Sequence, residues 1–164
     1  MSENYIVING KKMELTKEQV KLLGIEVRNN PFKRCDQNKP YFTIACNDFV
    51  SENIDIRGVA DNEFYKACNY FNDETFAKQV ALHQLLYRKL LKFAYENGYE
   101  DTAPWDGSTT QYYINYKHDV CRFDVDDNYF VHNFGVYFSN ENGAKRAIKE
   151  VVEPFVKEHP EFVW

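Results

Sequence analysis

An α+β fold is the class this chain predicts, with an N-terminal β-hairpin and short helix ahead of two tandem antiparallel-sheet-plus-helix modules. Three observations carry the prediction: an Asn-Gly turn between β-rich runs, one long amphipathic helix at the centre, and a strand-rich passage that occurs twice. Residues 1–30 form the opening unit. Tyr5–Ile8 is β-rich, Asn9-Gly10 suits a two-residue hairpin turn, and residues 11–15 alternate polar and apolar, as a returning strand does. Thr16 and Gln19 have capping-box spacing, and Val20, Leu22 and Leu23 follow before Gly24, which predicts a short helix. Asn29-Asn30-Pro31 breaks the pattern.

The first module, residues 31–98, offers strands at 41–46, 53–59 and 64–71, leading into a helix over 72–98. Asn72 or Asp73 can cap that helix, Glu74 favours its first turn, and Gly98 is a stop. At about 100° per residue, Phe76, Val80, Leu82, Leu86, Leu90 and Phe93 spread over a wide arc, so the helix is covered on a broad front. His83 lies within that arc and reads as a core histidine or a buried site residue. Lys78, Arg88, Lys89 and Lys92 occupy the opposite side, around Leu85, which is either an ordinary exposed leucine or part of an interface. The second module, residues 99–164, offers strands at 111–116, 120–125 and 130–138, then a helix from Asn140 bearing Ala144, Ile148, Val152 and Phe155. Pro154 should kink or restart that helix, because proline removes an interior hydrogen bond.

The two modules match in order and spacing. Pro31-Phe32, Tyr41-Phe42-Thr43-Ile44, Tyr70-Phe71 and Ala77 are answered by Pro104-Trp105, Tyr112-Tyr113-Ile114, Tyr137-Phe138 and Ala144. From Cys68 and Gly135 onward the offset is a constant 67 residues. A tandem duplication is the natural reading, and the acidic stretch of residues 97–107 between the copies is too short for a free linker.

With 27% charged and 44% hydrophobic residues the composition is globular, while 16% aromatic is high, either to fill sheet faces or to serve recognition. A net charge of −5 argues against a general nucleic-acid binder and suits a basic partner. The opening residues lack a leader pattern and no stretch is long and apolar enough to span a membrane, which predicts a cytoplasmic protein. Cys35, Cys46, Cys68 and Cys121 are never arranged as C-x-x-C, so free buried thiols are expected rather than disulfides or a zinc site.

The combination Pro104-Trp105, Tyr112-Tyr113-Ile114 and Asn133-Phe134-Gly135-Val136-Tyr137-Phe138, followed by a helix with an early Ala, resembles a module of small uncharacterised proteins. These belong to phages, prophages and other mobile elements of Gram-positive bacteria. The likeness covers residues 104–150 and, more weakly, 31–95. The chain departs from that pattern in its Pro-Trp order with Asp-Gly following, in its broken Gly-Asn pair, and in Asn142-Gly143 where acids usually stand. The resemblance implies a mobile-element setting, in which small acidic proteins bind and disable host machinery, and a location in the host cytoplasm.

No short motif predicts catalysis. His118, Asp119, Cys121 and His132 are near in sequence, yet nothing predicts a base, nucleophile and oxyanion donor in one place, and no Walker loop or H-x-x-x-H is present. The expectation is a non-enzymatic protein with no cofactor and no metal. Asp48, Glu52, Asp55 and Asp61 in the first module, with Asp119, Asp124, Asp126 and Asp127 in the second, are candidates for an acidic partner-binding surface. The partner expected is a host protein such as a basic nuclease or CRISPR effector, inhibited as a counter-defence, with self-association left open. The bland alternative is that Asp and Asn simply make good turns. A second reading is a nucleotide or small-ligand binder between the copies, using Tyr41, Tyr112 or Tyr113 for stacking and Arg57 or Arg122 for phosphate. A third is a toxin-neutralising immunity protein.

Overall fold

Asn9 and Gly10 both take positive φ, 52° and 77°, the left-handed pair that closes a tight hairpin. They join β1 (Tyr5–Ile8) to β2 (Lys11–Glu14) in a computed structural model that describes residues 5–23, 30–46, 48–100 and 105–164. Helix α1 (Lys17–Leu22) follows, opened by the expected capping box: the Gln19 side chain accepts from the Thr16 N–H at 2.8 Å, and Thr16 Oγ1 accepts from the Gln19 N–H at 3.2 Å. Gly24, Asn29 and Pro104, all used in the sequence reading, lie outside the described residues.

Both helices and antiparallel sheets are present, in an α+β arrangement. Strands β3 (Pro40–Ile44) and β4 (Val50–Ile54) form a hairpin, and Phe71 returns to pair antiparallel with Phe42. Strands β5 (Gln111–Lys117) and β6 (Arg122–Asn128) form a second hairpin, and β7 (Tyr137–Phe138) returns to β5, giving the order β6-β5-β7. In each half the returning element thus pairs with the first strand of its hairpin. The 67-residue offset coincides with further equivalences. Tyr70-Phe71 and Tyr137-Phe138 are all buried, and each pair precedes a helix whose Asp73 or Asn140 cap accepts from the N–H three residues on, at 2.8 Å in both cases. Ala77 and Ala144, four residues after their caps, are fully buried.

Three expected strands differ from the structure. Residues 64–71 are not a strand: α2 (Val59–Lys66) takes the first three, a turn follows, and only Phe71 makes a β-bridge. Its start is fixed by Asp61, whose Oδ2 accepts from the N–H groups of Gly58 at 2.8 Å and Ile56 at 3.1 Å, an N-terminal cap that outweighs the β preference of Phe64 and Tyr65. The strand expected at 53–59 ends at Ile54, because Asp55 is drawn into the interior and Arg57 takes φ 63°. Of residues 130–138 only the last two are extended as a strand, since the Asn128 side chain accepts from the N–H groups of Tyr129, Phe130 and Val131 at 2.8 to 3.1 Å and ends β6 there.

Helix α3 (Glu74–Glu96) runs between the two halves, contacting β3 and β4 on one side and α4 and β7 on the other. Gly98 follows it at φ 82°. Its later residues Leu86, Leu90 and Ala94 join Val136, Phe138, Ala147, Val152 and Phe155 in the main core. Leu85 packs against this core as well. Helix α4 (Glu141–Ala147) leads through a π-helical turn (Ile148–Val152) into α5 (Glu153–Glu158). The widened turn, in which the Glu153 N–H donates to the Ile148 carbonyl, interrupts the α-helical ladder just before Pro154, which sits in the first turn of α5, so the α-helix restarts there as expected. Among the described residues no helix is long and apolar enough to cross a membrane.

Candidate functional site

Two groups of polar and aromatic residues stand out, and their burial separates their roles. The first surrounds Asp55, whose side chain is 0% exposed. Arg34 meets it in a fork, Nε to Oδ2 at 2.8 Å and Nη2 to Oδ1 at 3.1 Å. The Arg57 N–H donates to Oδ1 at 2.8 Å and the Tyr70 hydroxyl to Oδ2 at 2.9 Å. Beside it Tyr41 stacks on Tyr70 with centroids 4.1 Å apart and donates to Asp61 Oδ1 at 2.7 Å. The Arg34 guanidinium, helped by the Arg57 N–H and the Tyr70 hydroxyl, outweighs burial and holds the Asp55 carboxyl down to about 2. Burial, reinforced by these carboxylates, pushes the Tyr41 and Tyr70 phenols above their ordinary range.

This network corrects the sequence reading. Asp55 and Asp61 cannot belong to an acidic binding surface, because both are buried and their oxygens are taken by internal donors. Tyr41 is equally buried, so it cannot stack on a ligand. Arg57 is tied to Asp55 and to the Cys35 carbonyl at 2.9 Å, leaving the phosphate role unsupported.

The acids of the second half are on the sheet. Asp124 is paired with Lys117 at 2.7 Å and Arg122 at 3.5 Å, and the Lys117 ammonium lowers its carboxyl. Its Oδ1 also accepts from the Val125 N–H at 3.0 Å, as Asp126 Oδ1 does from the Asp127 N–H at 3.2 Å and Asn128 from Tyr129. Alternate N–H groups along this edge strand are therefore covered by the side chain one residue earlier. Charge and self-capping together blunt a sheet edge against strand addition. Asp119, Asp126, Asp127 and Glu52 remain exposed. Asp48 forms an ion pair with Arg88 across from α3. Tyr112 and Tyr113 sit at neighbouring positions of β5 on opposite faces, Tyr113 against Tyr137 with centroids 5.7 Å apart. Arg122 lies at the far end of β6, so the proposed stacking and phosphate groups are not brought together. His132 stacks on Trp105 at 4.7 Å, next to Tyr137, whereas Cys121 and His118 share the β5–β6 turn. No nucleophile and base meet there. Among the described residues no three His, Cys, Asp or Glu side chains are grouped to hold a metal ion.

The second group lines a half-open cleft of about 600 Å³ between α3 and the second sheet. Leu86, Leu90, Ile114, Val136 and Phe138 provide an apolar interior, with His83, Gln84 and Arg88 as polar groups on the helix side. Tyr87, Phe134 and Trp164 add aromatic surface. Phe134 is 98% exposed, and its ring lies 5.9 Å from Tyr87 at an interplanar angle of 4°. His83 is not the core residue expected: it faces the cleft, 4.8 Å from the Phe162 ring. The sequence reading missed this cleft; the one signal that could have found it is a large aromatic placed between Asn133 and Gly135.

Comparison with protein-family models, with curated proteins and with solved structures gives no match for this chain.

Proposed function

We propose that this is a non-enzymatic binding protein that engages a host protein through the aromatic mouth of the cleft between α3 and the second sheet. The observation that carries this reading is Phe134, fully presented to solvent beside an apolar cavity, at the end of a run in which Tyr129, Phe130 and Val131 are also exposed. An aromatic side chain this exposed at the edge of an apolar cavity is what a domain keeps for a partner. Exposed Asp119, Asp126 and Asp127 with the net charge of −5 favour a basic partner and steer its approach. The resemblance to mobile-element proteins supports a role in a host cytoplasm, as a counter-defence inhibitor of a nuclease or CRISPR effector.

The test is affinity capture from host cells with the wild type and a Tyr87→Ser/Phe134→Ser variant. Both side chains are exposed, so the variant keeps its melting temperature while losing a stoichiometric partner. Equal capture by both proteins rejects the cleft as the binding surface. Absence of any protein partner favours a second reading, supported by the cavity's size and few polar groups: a small, largely apolar ligand. A polyphosphate is a poor candidate, because Arg88 is the sole Lys or Arg in the lining and is paired with Asp48.

A further inference from the structure

We infer that the open edge of β4, with the groove between it and α3, takes up an extended protein segment as an added antiparallel strand, one that carries a lysine or arginine between two apolar residues on the same face. The hydrogen bonds of β3 fix the direction of this edge. Phe42 exchanges both backbone bonds with Phe71, at 2.8 and 2.9 Å. Ile44 is held from the same side by the Asn69 side chain, which accepts from its N–H at 2.8 Å and donates to its carbonyl at 2.9 Å. Their partners across the hairpin are Glu52 and Val50. In an antiparallel pair, opposite residues turn their backbone groups either toward each other or both away. Val50, Glu52 and, two further on, Ile54 therefore aim N–H and C=O outward, where no described strand pairs with them. The Asn53 side chain, which could cover this edge, is turned elsewhere and donates to Thr43 Oγ1 at 3.0 Å and to the Ser51 carbonyl at 3.2 Å. Strand β6, by contrast, caps its outward N–H groups with the side chain one residue earlier.

The surroundings select the occupant. Val50 faces α3 across a groove of about 440 Å³ lined also by Ala81, Leu82 and Leu85. A side chain opposite Val50 on the added strand lies over that groove, and one opposite Ile54 covers a residue that is 48% exposed. Glu52 stands between them, exposed and without an ion pair to any described residue, whereas Asp48 at the rim is held by Arg88 and Lys78 by Glu74. The residue opposite Glu52 comes within about 5.5 Å, Cβ to Cβ, near enough for a lysine or arginine to pair and for a carboxylate to repel. The same repulsion sets this edge against a second copy of the chain. The two-fold register that uses all three outward residues brings two copies of Glu52 face to face. No residue lines both this groove and the larger cleft, so binding at one is independent of binding at the other.

The probe is the capped heptapeptide Thr-Val-Thr-Lys-Thr-Val-Thr, titrated into the isotope-labelled full chain and followed by NMR. Reductant is kept throughout, since Cys46, Cys68 and Cys121 are exposed rather than the buried thiols expected. The expected result is a saturable shift of the Val50, Glu52 and Ile54 amide signals, with slowed hydrogen exchange at those three positions. Replacing the central lysine of the peptide by glutamate abolishes the response. The Glu52→Lys protein binds the lysine peptide several-fold more weakly and takes the glutamate peptide instead. Methylating the peptide nitrogens that face β4 also abolishes binding, because the backbone bonds are then lost. The Tyr87→Ser/Phe134→Ser variant binds the peptide as the wild type does, which separates this edge from the cleft. No shift at β4 with millimolar peptide, equal responses to the lysine and glutamate peptides, insensitivity to methylation, or shifts confined to β6 or to the cleft would each overturn the inference. Glu52 is exposed, so the Glu52→Lys protein keeps its melting temperature, and the peptide exchange tests the same pairing on the wild-type chain.

Discussion

Replacing Asp55 by Asn tests the buried network most directly. The carboxylate accepts two hydrogen bonds from Arg34, one from the Arg57 N–H and one from Tyr70. An amide of the same shape turns one of those oxygens into a donor, so in either orientation it faces an Arg34 or Arg57 N–H that it cannot satisfy. Breaking a buried pair by removing one partner costs about 3–5 kcal/mol. For a chain of this size each kcal/mol lowers the melting temperature by roughly 2–4 °C, so a fall of about 6–20 °C is expected. The pH dependence supplies an independent check. The folded carboxyl lies at about 2, below its unfolded value near 3.8, so its contribution is full above the unfolded value and is lost as pH falls through the folded one. That contribution is on the order of 2 kcal/mol, trimmed by the partial exposure of Arg34. The stability gap between wild type and variant, measured by urea unfolding, should therefore be constant from pH 7 to about 5 and narrow toward pH 2. A gap under about 1 kcal/mol at pH 7, or one that widens on acidification, refutes the reasoning.

Two further outcomes follow from the matched halves and the blunted edge. Asp73→Ala and Asn140→Ala each remove an N-cap and should each cost about 1 kcal/mol in thermal unfolding, with additive effects in the double variant; a negligible cost at Asn140 alone would show that the second cap is not equivalent to the first. Asp124→Val with Asp126→Val uncovers edge N–H groups and should yield concentration-dependent larger species by sedimentation, whereas the Asn pair, which keeps the capping oxygens, should not. If the Asn pair associates just as readily, charge alone guards the edge.

What the sequence disclosed was whatever depends on neighbours a few residues apart. Asn9-Gly10, the Thr16/Gln19 box, the cap at Asp73, one of the two residues offered, and the helix start at Asn140 are local devices, and each is found where the sequence pointed. Helix α2 escaped because the aromatic residues at 64 and 65 favour a strand, and the deciding contacts run from Asp61 back to Ile56 and Gly58. Nothing local marks Asp55 as buried either, since its partner Arg34 is 21 residues away. The cleft is harder still to read: its walls come from 83–90, 114, 134–138 and 164, joined only when α3 crosses the second sheet.

The end of the chain is stapled onto α3, where the Gln79 side chain donates to the Glu161 carbonyl at 2.7 Å and accepts from the Val163 N–H at 3.0 Å. Trp164 consequently stands in the wall of the cleft, and any segment joined after it starts at that wall. Fusion there turns a weak bimolecular encounter into a tethered one, at millimolar effective concentration for a short flexible linker. The same geometry makes this terminus the wrong place for a bulky affinity tag and a good place to screen short peptides against the site.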